Sequence, residues 1–460
     1  MEHTTHTDET KSKNVTPGEI AIWDIRTMAL PTRLLLGLQH LFAMFGATIL
    51  VPLLTGLDIS TTLLMAGLGT LLFHFITKGR VPAFLGSSFA FLGGYAAVAP
   101  LVNGQPNTAM LPYAGGGVFA AGLVYVVLAF FIYRFGVERV MRFFPPVVTG
   151  PIIISIGLTL APSAIGNAST DWSLAIIAIA TIIFFNIWGK GMLRIIPLIL
   201  AVLVSYVFAL FLNRVDFTTI TQAAPIALPL HPESFMKFDL SAIITIMPIS
   251  LATMMEHIGD ITAIGATVGK NYIQDPGLHR TLLGDGLATS LAAAFGGPAN
   301  TTYGENTGVL ALTRVYDPKV MQITAVFAIL LSFFPVVSGF IRSIPTAIIG
   351  GVSLILYGMI SAIGVRNLVE NHVDFTNSRN LIVAAAIFVS ALGFTGEHPG
   401  LQFSVGSLTV SLSGLAIAAL LGIFLNALLP GKDYDFKVDA PQDTGVNFSG
   451  ITKKGSKDSK

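Results

Sequence analysis

Glu256, Asp260, Asp285 and Glu305 stand in stretches that are otherwise almost free of charge. A charged side chain at the centre of a membrane helix costs about 2.5–3.5 kcal/mol on insertion scales, so each acid needs a partner, a proton or a function. No Lys or Arg stands at membrane depth beside them. A carboxyl group that passes between its charged and neutral forms is what proton coupling uses. Glu256 and Asp260 are four apart and share one helix face. His257 projects about 100° away from Glu256 and is expected to be packed or hydrogen-bonded rather than a ligand. Asp285, between Gly284 and Gly286, has two open roles, satisfying nearby backbone or relaying a proton. Gln39 and His40 form a polar pair inside an apolar stretch, either as glue between helices or facing a cavity. His74 is expected at a membrane interface. These His and acid residues lack ligand spacing, so no metal site is expected, and without a phosphate-binding loop ATP is not the driver.

The elements that must position these groups follow from composition. Of 460 residues, 53% are apolar and only 11% are Asp, Glu, Lys or Arg. A soluble domain carries about a quarter charged residues, so this chain is expected to be an integral membrane protein. A net charge of +1 without a basic stripe gives no reason to expect nucleic acid as a partner. The absence of cysteine excludes disulfides and thiolate metal sites. Residues 1–32 and 431–460 are polar and are expected to be solvated tails.

A spanning helix needs about 20 mostly apolar residues. Charge-free runs at 34–57, 59–77, 81–133, 143–170, 172–189, 195–213, 240–255, 286–304, 320–341, 343–365, 380–396 and 398–431 supply them. The run 81–133 divides between Pro100 and Pro112; 240–255 extends past Glu256 to about Gly269; Asp285 lies within a span at 277–297, followed by a broken segment at 298–314. The expected fold is therefore all-α, with fourteen segments, two of them irregular. With the N-terminus inside, Lys78, Arg80, Arg134, Arg139, Arg142, Lys190, Arg194, Lys270, Arg280, Arg314, Lys319, Arg366 and Arg379 fall inside, against Arg214, Lys237 and Arg342 outside. This asymmetry places both tails in the cytoplasm. The sequence 144–150 (Phe-Pro-Pro-Val-Val-Thr-Gly) resembles 344–350 (Ile-Pro-Thr-Ala-Ile-Ile-Gly), each opening a span. Seven spans per half would give two copies of opposite topology, the mark of secondary transporters.

Segments three and ten contain Leu85-Gly86-Ser87-Ser88-Phe89 and Pro298-Ala299-Asn300-Thr301-Thr302-Tyr303-Gly304-Glu305. Irregular backbone at membrane depth must be buried in protein or line a cavity. A half-helix starting near Glu305 would aim its free N–H groups and positive dipole end at that cavity. Re-entrant loops that plug a gap are the alternative.

The motifs Gln39-His40-Leu41-Phe42-Ala43-Met44-Phe45-Gly46-Ala47-Thr48, Gly86-Ser87-Ser88-Phe89-Ala90-Phe91, Glu256-His257-Ile258-Gly259 and Thr301-Thr302-Tyr303-Gly304-Glu305-Asn306 together resemble the nucleobase–ascorbate transporter family, nearest its proton-coupled uracil branch. The family signature stands here as Glu305-Asn306-Thr307-Gly308 through Thr313-Arg314. The resemblance covers about residues 33 to 430. It implies two inverted seven-span repeats. Residues 33–134 and 239–340 would form a core domain, 135–238 and 341–430 a gate domain, with short strands in segments three and ten meeting at the substrate. It also implies a homodimer in the cytoplasmic membrane, an elevator-like movement of core against gate, and a proton gradient as driving force without a cofactor. By matching positions, Glu256 would hold the ring N–H groups of the base and Glu305 would bond the base or brace the site. Phe89 and Gly304 would meet ring carbonyls, and His40 and Ala47 come from the first motif. Asp260, Glu256, Glu305 and Asp285 are the candidates for proton coupling. Asp260 departs from the uracil branch, which often carries His there, and matches the xanthine and urate branch, whereas Glu305 and the Tyr303–Gly304 pair match the uracil branch. A purine symporter is thus the alternative. An anion transporter of the related sulfate type would bring a basic or neutral group to the half-helix ends, and an intramembrane acid–base enzyme could also use paired carboxyls.

Overall fold

The structure, a computed structural model, describes residues 21–102, 105–394, 400–405, 408–432 and 434, without the side chains of residues 305 and 403–411. Helices α1 (Leu30–Thr55) and α2 (Ile59–Ile76) lead to strand β1 (Leu85–Ser87), a 3-10 turn (Phe89–Phe91) and α3 (Leu92–Val98). Then come α4 (Leu111–Phe135), α5 (Val137–Met141), α6 (Pro146–Ala168), α7 (Trp172–Trp188), α8 (Pro197–Phe211) and the single turn α9 (Thr218–Thr221). The second half holds α10 (Leu240–Ile246), α11 (Ile249–Val268), α12 (Leu278–Ala294), β2 (Asn300–Thr302), α13 (Glu305–Thr313), α14 (Lys319–Ser332), α15 (Pro335–Arg342) and α16 (Thr346–Glu370). It ends with α17 (Ser378–Gly393), β3 (Gly400–Val405), β4 (Leu408–Ser413) and α18 (Gly414–Leu428).

Three of the acids that bound the charge-free runs are helix caps. Asp58, Asp171 and Asp239 accept from the backbone N–H of Thr61 (2.7 Å), Ser173 (3.1 Å) and Ala242 (2.8 Å). Each satisfies a donor that has no intrahelical acceptor. Six helices among the described residues are long and apolar enough to cross a membrane, or seven if the bent pair α14–α15 counts as one. The span 240–269 is α10 and α11 abutting at Met247–Pro248, with Pro248 capping the second helix.

Four expectations are corrected. The run 320–341 is no straight span: α14 and α15 meet at 84°. Pro335, at the first position of α15, has no N–H to continue the ladder, and Phe334 before it is extended. The run 398–431 is not one helix either: β3 and β4 pair antiparallel from Gly400↔Ser413 to Val405↔Leu408 before α18 begins. Residues 21–32 are not a solvated tail. Ile22 bridges Val315, the Ile25 N–H donates to Asp317 Oδ2 at 2.9 Å, and Ile22, Ile25 and Met28 are buried with Val315 and Val320. His74 is buried, with Nε2 3.0 Å from the Ala83 carbonyl.

The helices pack in two groups. In one, α12 lies against α2 and α4, and α14 against α1 and α2. In the other, α16 packs along α6 and against α7 and α8, while α17 and α18 pair and reach α6. The duplicated sequences open α6 and α16, whose antiparallel packing is the most extensive among the described elements. A methyl group on Gly150 would meet Leu368 at 2.5 Å, and one on Gly350 would meet Ala168 at 2.2 Å. Each duplicated glycine thus sits against the far end of the other helix. The groups touch where α1 meets α8, and where α11 meets α6 and α18.

Candidate functional site at the paired strands

β1 and β2 pair antiparallel, Leu85↔Thr302, Gly86↔Thr301 and Ser87↔Asn300. Two more backbone bonds extend the ladder, Tyr303 N–H to the Phe84 carbonyl and Ser88 N–H to the Ala299 carbonyl, both 2.9 Å. Such short buried strands leave edge groups that must find partners. Surrounding side chains supply them. Thr70 Oγ1 accepts from the Leu85 N–H at 3.0 Å, Thr289 Oγ1 donates to the Asn300 carbonyl at 2.5 Å, and the Tyr303 hydroxyl donates to the Ser87 carbonyl at 2.8 Å. Ser87 Oγ donates to the Thr48 carbonyl of α1 at 2.9 Å. Gly86 is required by the Tyr303 ring, because a Cβ there would lie 2.6 Å from Tyr303 Cζ and 2.8 Å from Thr48 Oγ1.

β1 leads into the Phe89–Phe91 turn and α3, and β2 leads into α13. α13 starts at Glu305 with Gly304 as its cap, at the position expected from the sequence. Asn306 anchors it: Nδ2 lies 3.2 Å from His40 Nδ1 and 3.3 Å from the His40 carbonyl. His40 is fully buried in this contact between α1 and α13, so it acts as glue between helices.

α11 passes the Phe89–Phe91 turn, β2 and α13. Glu256 and Asp260 are half-buried on it, and a Cβ on Gly259 would meet no atom within 4 Å, which leaves open space beside that glycine. Among the other expected site residues, Ala47 is fully buried in α1, Phe89 is 8% exposed and Gly304 is half-buried. α1 touches β1, α3 and α13, so the elements carrying Ala47, Phe89, Glu256, Gly304 and Glu305 converge. Phe89 also stands edge-on to Tyr357 of α16 at 6.1 Å, across the two helix groups. Tyr357, buried in the middle of an apolar run, carries no signal in the sequence.

Asp285 is one layer behind this space. Thr302 Oγ1 donates to Asp285 Oδ1 at 3.0 Å, and His257 Nδ1 lies 2.9 Å from Thr302 Oγ1 and 3.3 Å from Asp285 Oδ2. The side chains of His257 and Asp285 are fully buried. Asp285 therefore satisfies side chains rather than backbone, and His257 is hydrogen-bonded as expected. The flanking glycine lets α12 approach α4: a Cβ on Gly286 would lie 2.4 Å from Tyr125 Cβ. On α4 itself, the Tyr125 hydroxyl donates to Thr253 Oγ1 of α11 at 2.6 Å.

Carboxyl groups that can accept, backbone N–H groups that can donate and an aromatic ring are the group types that would complement a flat polar ring. No group of three or more His or acid residues among the described residues could hold a metal ion.

Residues 32–398 match a family described as a permease family, Xan_ur_permease. The chain is 42% identical over 410 residues to the uracil permease of Bacillus caldolyticus, covering 86% of this chain and 92% of the relative. It is 39% identical to the uracil permease of Escherichia coli K12 over 85% of this chain and 90% of the relative. A putative pyrimidine permease of the same strain, RutG, is 39% identical over 87% and 90% of the two chains. In fold the chain is similar to the transmembrane domain of the cyanobacterial bicarbonate transporter BicA, with a TM-score of 0.61, 15% identity and coverage of 87% and 99%. SLC26A9 gives a TM-score of 0.65 at 12% identity, covering 88% of this chain and 66% of that one.

Proposed function

The chain belongs to the Xan_ur_permease family, the nucleobase–ascorbate transporters, and from that premise we propose that it imports uracil with protons. Family membership makes it a multi-pass membrane transporter rather than an enzyme. The convergence of α1, α11, α13 and the Phe89–Phe91 turn on the β1–β2 crossing supports the proposal, because these elements carry Glu256, Asp260, a half-helix start and an aromatic ring. Uracil alternates N–H donors and carbonyl acceptors around a small flat ring, and that pattern complements carboxylates, backbone N–H groups and the Phe89 face. The curated relatives named for uracil, similar over most of their length, favour it over xanthine or urate. Asp260 remains the feature that fits the purine reading.

The mechanism assigns Glu256 to the ring N–H groups, Gly304 and the Phe89 turn to the carbonyls, and Glu305 to the base or to bracing the site, with Ala47 and His40 on the α1 side. Asp260 is the first candidate for the coupling proton, followed by Glu256, Glu305 and Asp285. Fourteen segments in two inverted repeats, with both tails cytoplasmic, would let the group containing α1–α4 and α10–α14 slide as a core against a gate containing α6–α8 and α16–α18. The Phe89–Tyr357 contact lies on that sliding surface, and a homodimer would hold the gates fixed.

Uptake of labelled uracil into proteoliposomes tests this. Accumulation should rise with an inward proton gradient and collapse when the gradient is dissipated. Uptake that ignores the gradient would remove the coupling, and no uptake of uracil alongside uptake of xanthine would transfer the site to purines.

A further inference from the structure

A second cavity, of about 250 Å³, shares no residue with the strand crossing and lies at the ends of α6, α17 and α18. Arg142, Arg379 and Lys432 stand in its wall with Asn426 and Tyr434. Arg379 is only 8% exposed. Its guanidinium bonds to neutral groups: Nη2 donates to the Asn426 carbonyl (3.1 Å) and Oδ1 (2.7 Å), Nη1 to Asn380 Oδ1 (3.1 Å) and Nε to the Leu429 carbonyl (3.4 Å). Asn426 Nδ2 donates in turn to the Arg142 carbonyl at 3.1 Å, which ties the start of α6 to the end of α18.

These bonds fix the plane of the guanidinium but bring no negative charge. Among the described residues no carboxylate lies within 4.0 Å of the charged atoms of Arg142, Arg379 or Lys432. A buried cation without a counter-charge is costly, and the natural remedy is an anion in the cavity. The first turn of α6 adds to the field: Pro145 and Val147 line the same cavity, at the positive end of a 23-residue helix. Arg379 keeps its charge and one Nη1 N–H for such an anion, its other four donors being used by the neutral partners, and the guanidinium of Arg142 can match phosphate oxygens in geometry as well as charge.

We propose that this cavity binds a phosphate group, clasped by Arg142, Arg379, Lys432 and the first turn of α6. The occupant ties α6 and α17 to the chain that follows α18. A free phosphate ester and the headgroup of a phosphatidic-acid lipid offer the same chemistry.

The test is thermal stability of the purified full-length chain in detergent at constant ionic strength. The titrants are inorganic phosphate, a nucleoside monophosphate and short-chain phosphatidic acid, with chloride and short-chain phosphatidylcholine as controls. The expected result is saturable stabilisation by a phosphate probe and not by the controls. The apparent Kd should rise about tenfold or more in Arg142→Gln/Lys432→Gln, since charge-assisted bonds are lost; both residues are exposed, so the fold should survive. Stabilisation by the soluble probes identifies a free ester, and stabilisation by phosphatidic acid alone identifies a lipid headgroup. Equal stabilisation by chloride, an unchanged Kd in the double variant, or no binding to the wild type overturns the proposal. None of these readouts depends on uracil transport.

Discussion

Thr302 of β2 stands between Asp285 and His257: its hydroxyl donates to Asp285 Oδ1 at 3.0 Å, and His257 Nδ1 lies 2.9 Å from Thr302 Oγ1. One hydroxyl thus joins α11, α12 and the strand pair in a layer shielded from water. Thr302→Val keeps the shape and removes the link. Unpaired buried polar groups cost about 1–3 kcal/mol, and more when charged, so the variant should melt earlier. Asp285→Ala should cost more, because it removes the acceptor of the Thr302 hydroxyl and the carboxyl group beside His257 together and leaves a cavity. Melting temperatures equal to wild type in both variants would mean that the layer does not hold the strands.

Gly86→Ala should impair substrate binding. The added methyl group would lie 2.6 Å from a tyrosine ring whose hydroxyl is fixed on the Ser87 carbonyl at 2.8 Å. Overpacking of this kind costs about 1–3 kcal/mol. The strand register at Ser87↔Asn300 has to shift with it. A variant with wild-type affinity and stability would show that Tyr303 yields easily.

Asp260→Asn separates binding from coupling. The amide cannot exchange a proton but keeps the size of the carboxyl group. Base binding should persist, while the dependence of uptake on external acidity should disappear. A wild-type pH profile would pass the coupling role to Glu256, Glu305 or Asp285.

Glu305→Gln probes selectivity. An ionised carboxylate only accepts hydrogen bonds, whereas an amide also donates. Uracil presents two ring N–H donors, and xanthine an unprotonated ring nitrogen that gains from a donor. In competition assays the wild type should favour uracil over xanthine, and the variant should narrow the gap or lose transport. Equal competition in the wild type would make Asp260 the better guide to the substrate.

Much of this arrangement was legible in the sequence because membrane insertion penalises charge so heavily. Acids inside otherwise charge-free stretches mark the site, and the Gly- and Thr-rich break predicts a half-helix where α13 begins. The spacing of Glu256 and Asp260 required a shared face. Contacts that depend on chain crossings were hidden: nothing near Thr302 announces that His257 and Asp285 converge on it from separate helices. Hydrophobicity alone also could not separate a strand from a helix in 400–413, since both read as a short apolar run. The 84° turn between α14 and α15 passed unnoticed because Pro335 also suits the first turn of a new helix. His74 looked interfacial because its partner, the Ala83 carbonyl, lies beyond the end of its helix.

Calorimetric titration of uracil into the purified wild type and Glu256→Gln tests the central claim most directly. Glu256 lies on α11, the helix that passes the Phe89–Phe91 turn, β2 and α13. The wild type should give saturable heat, and the variant, still folded, should lose about 1–3 kcal/mol of binding free energy or more, roughly tenfold or beyond in Kd. Uracil bound equally well by both proteins would contradict the site, and with it the reading of the strand crossing as the place where the base is held.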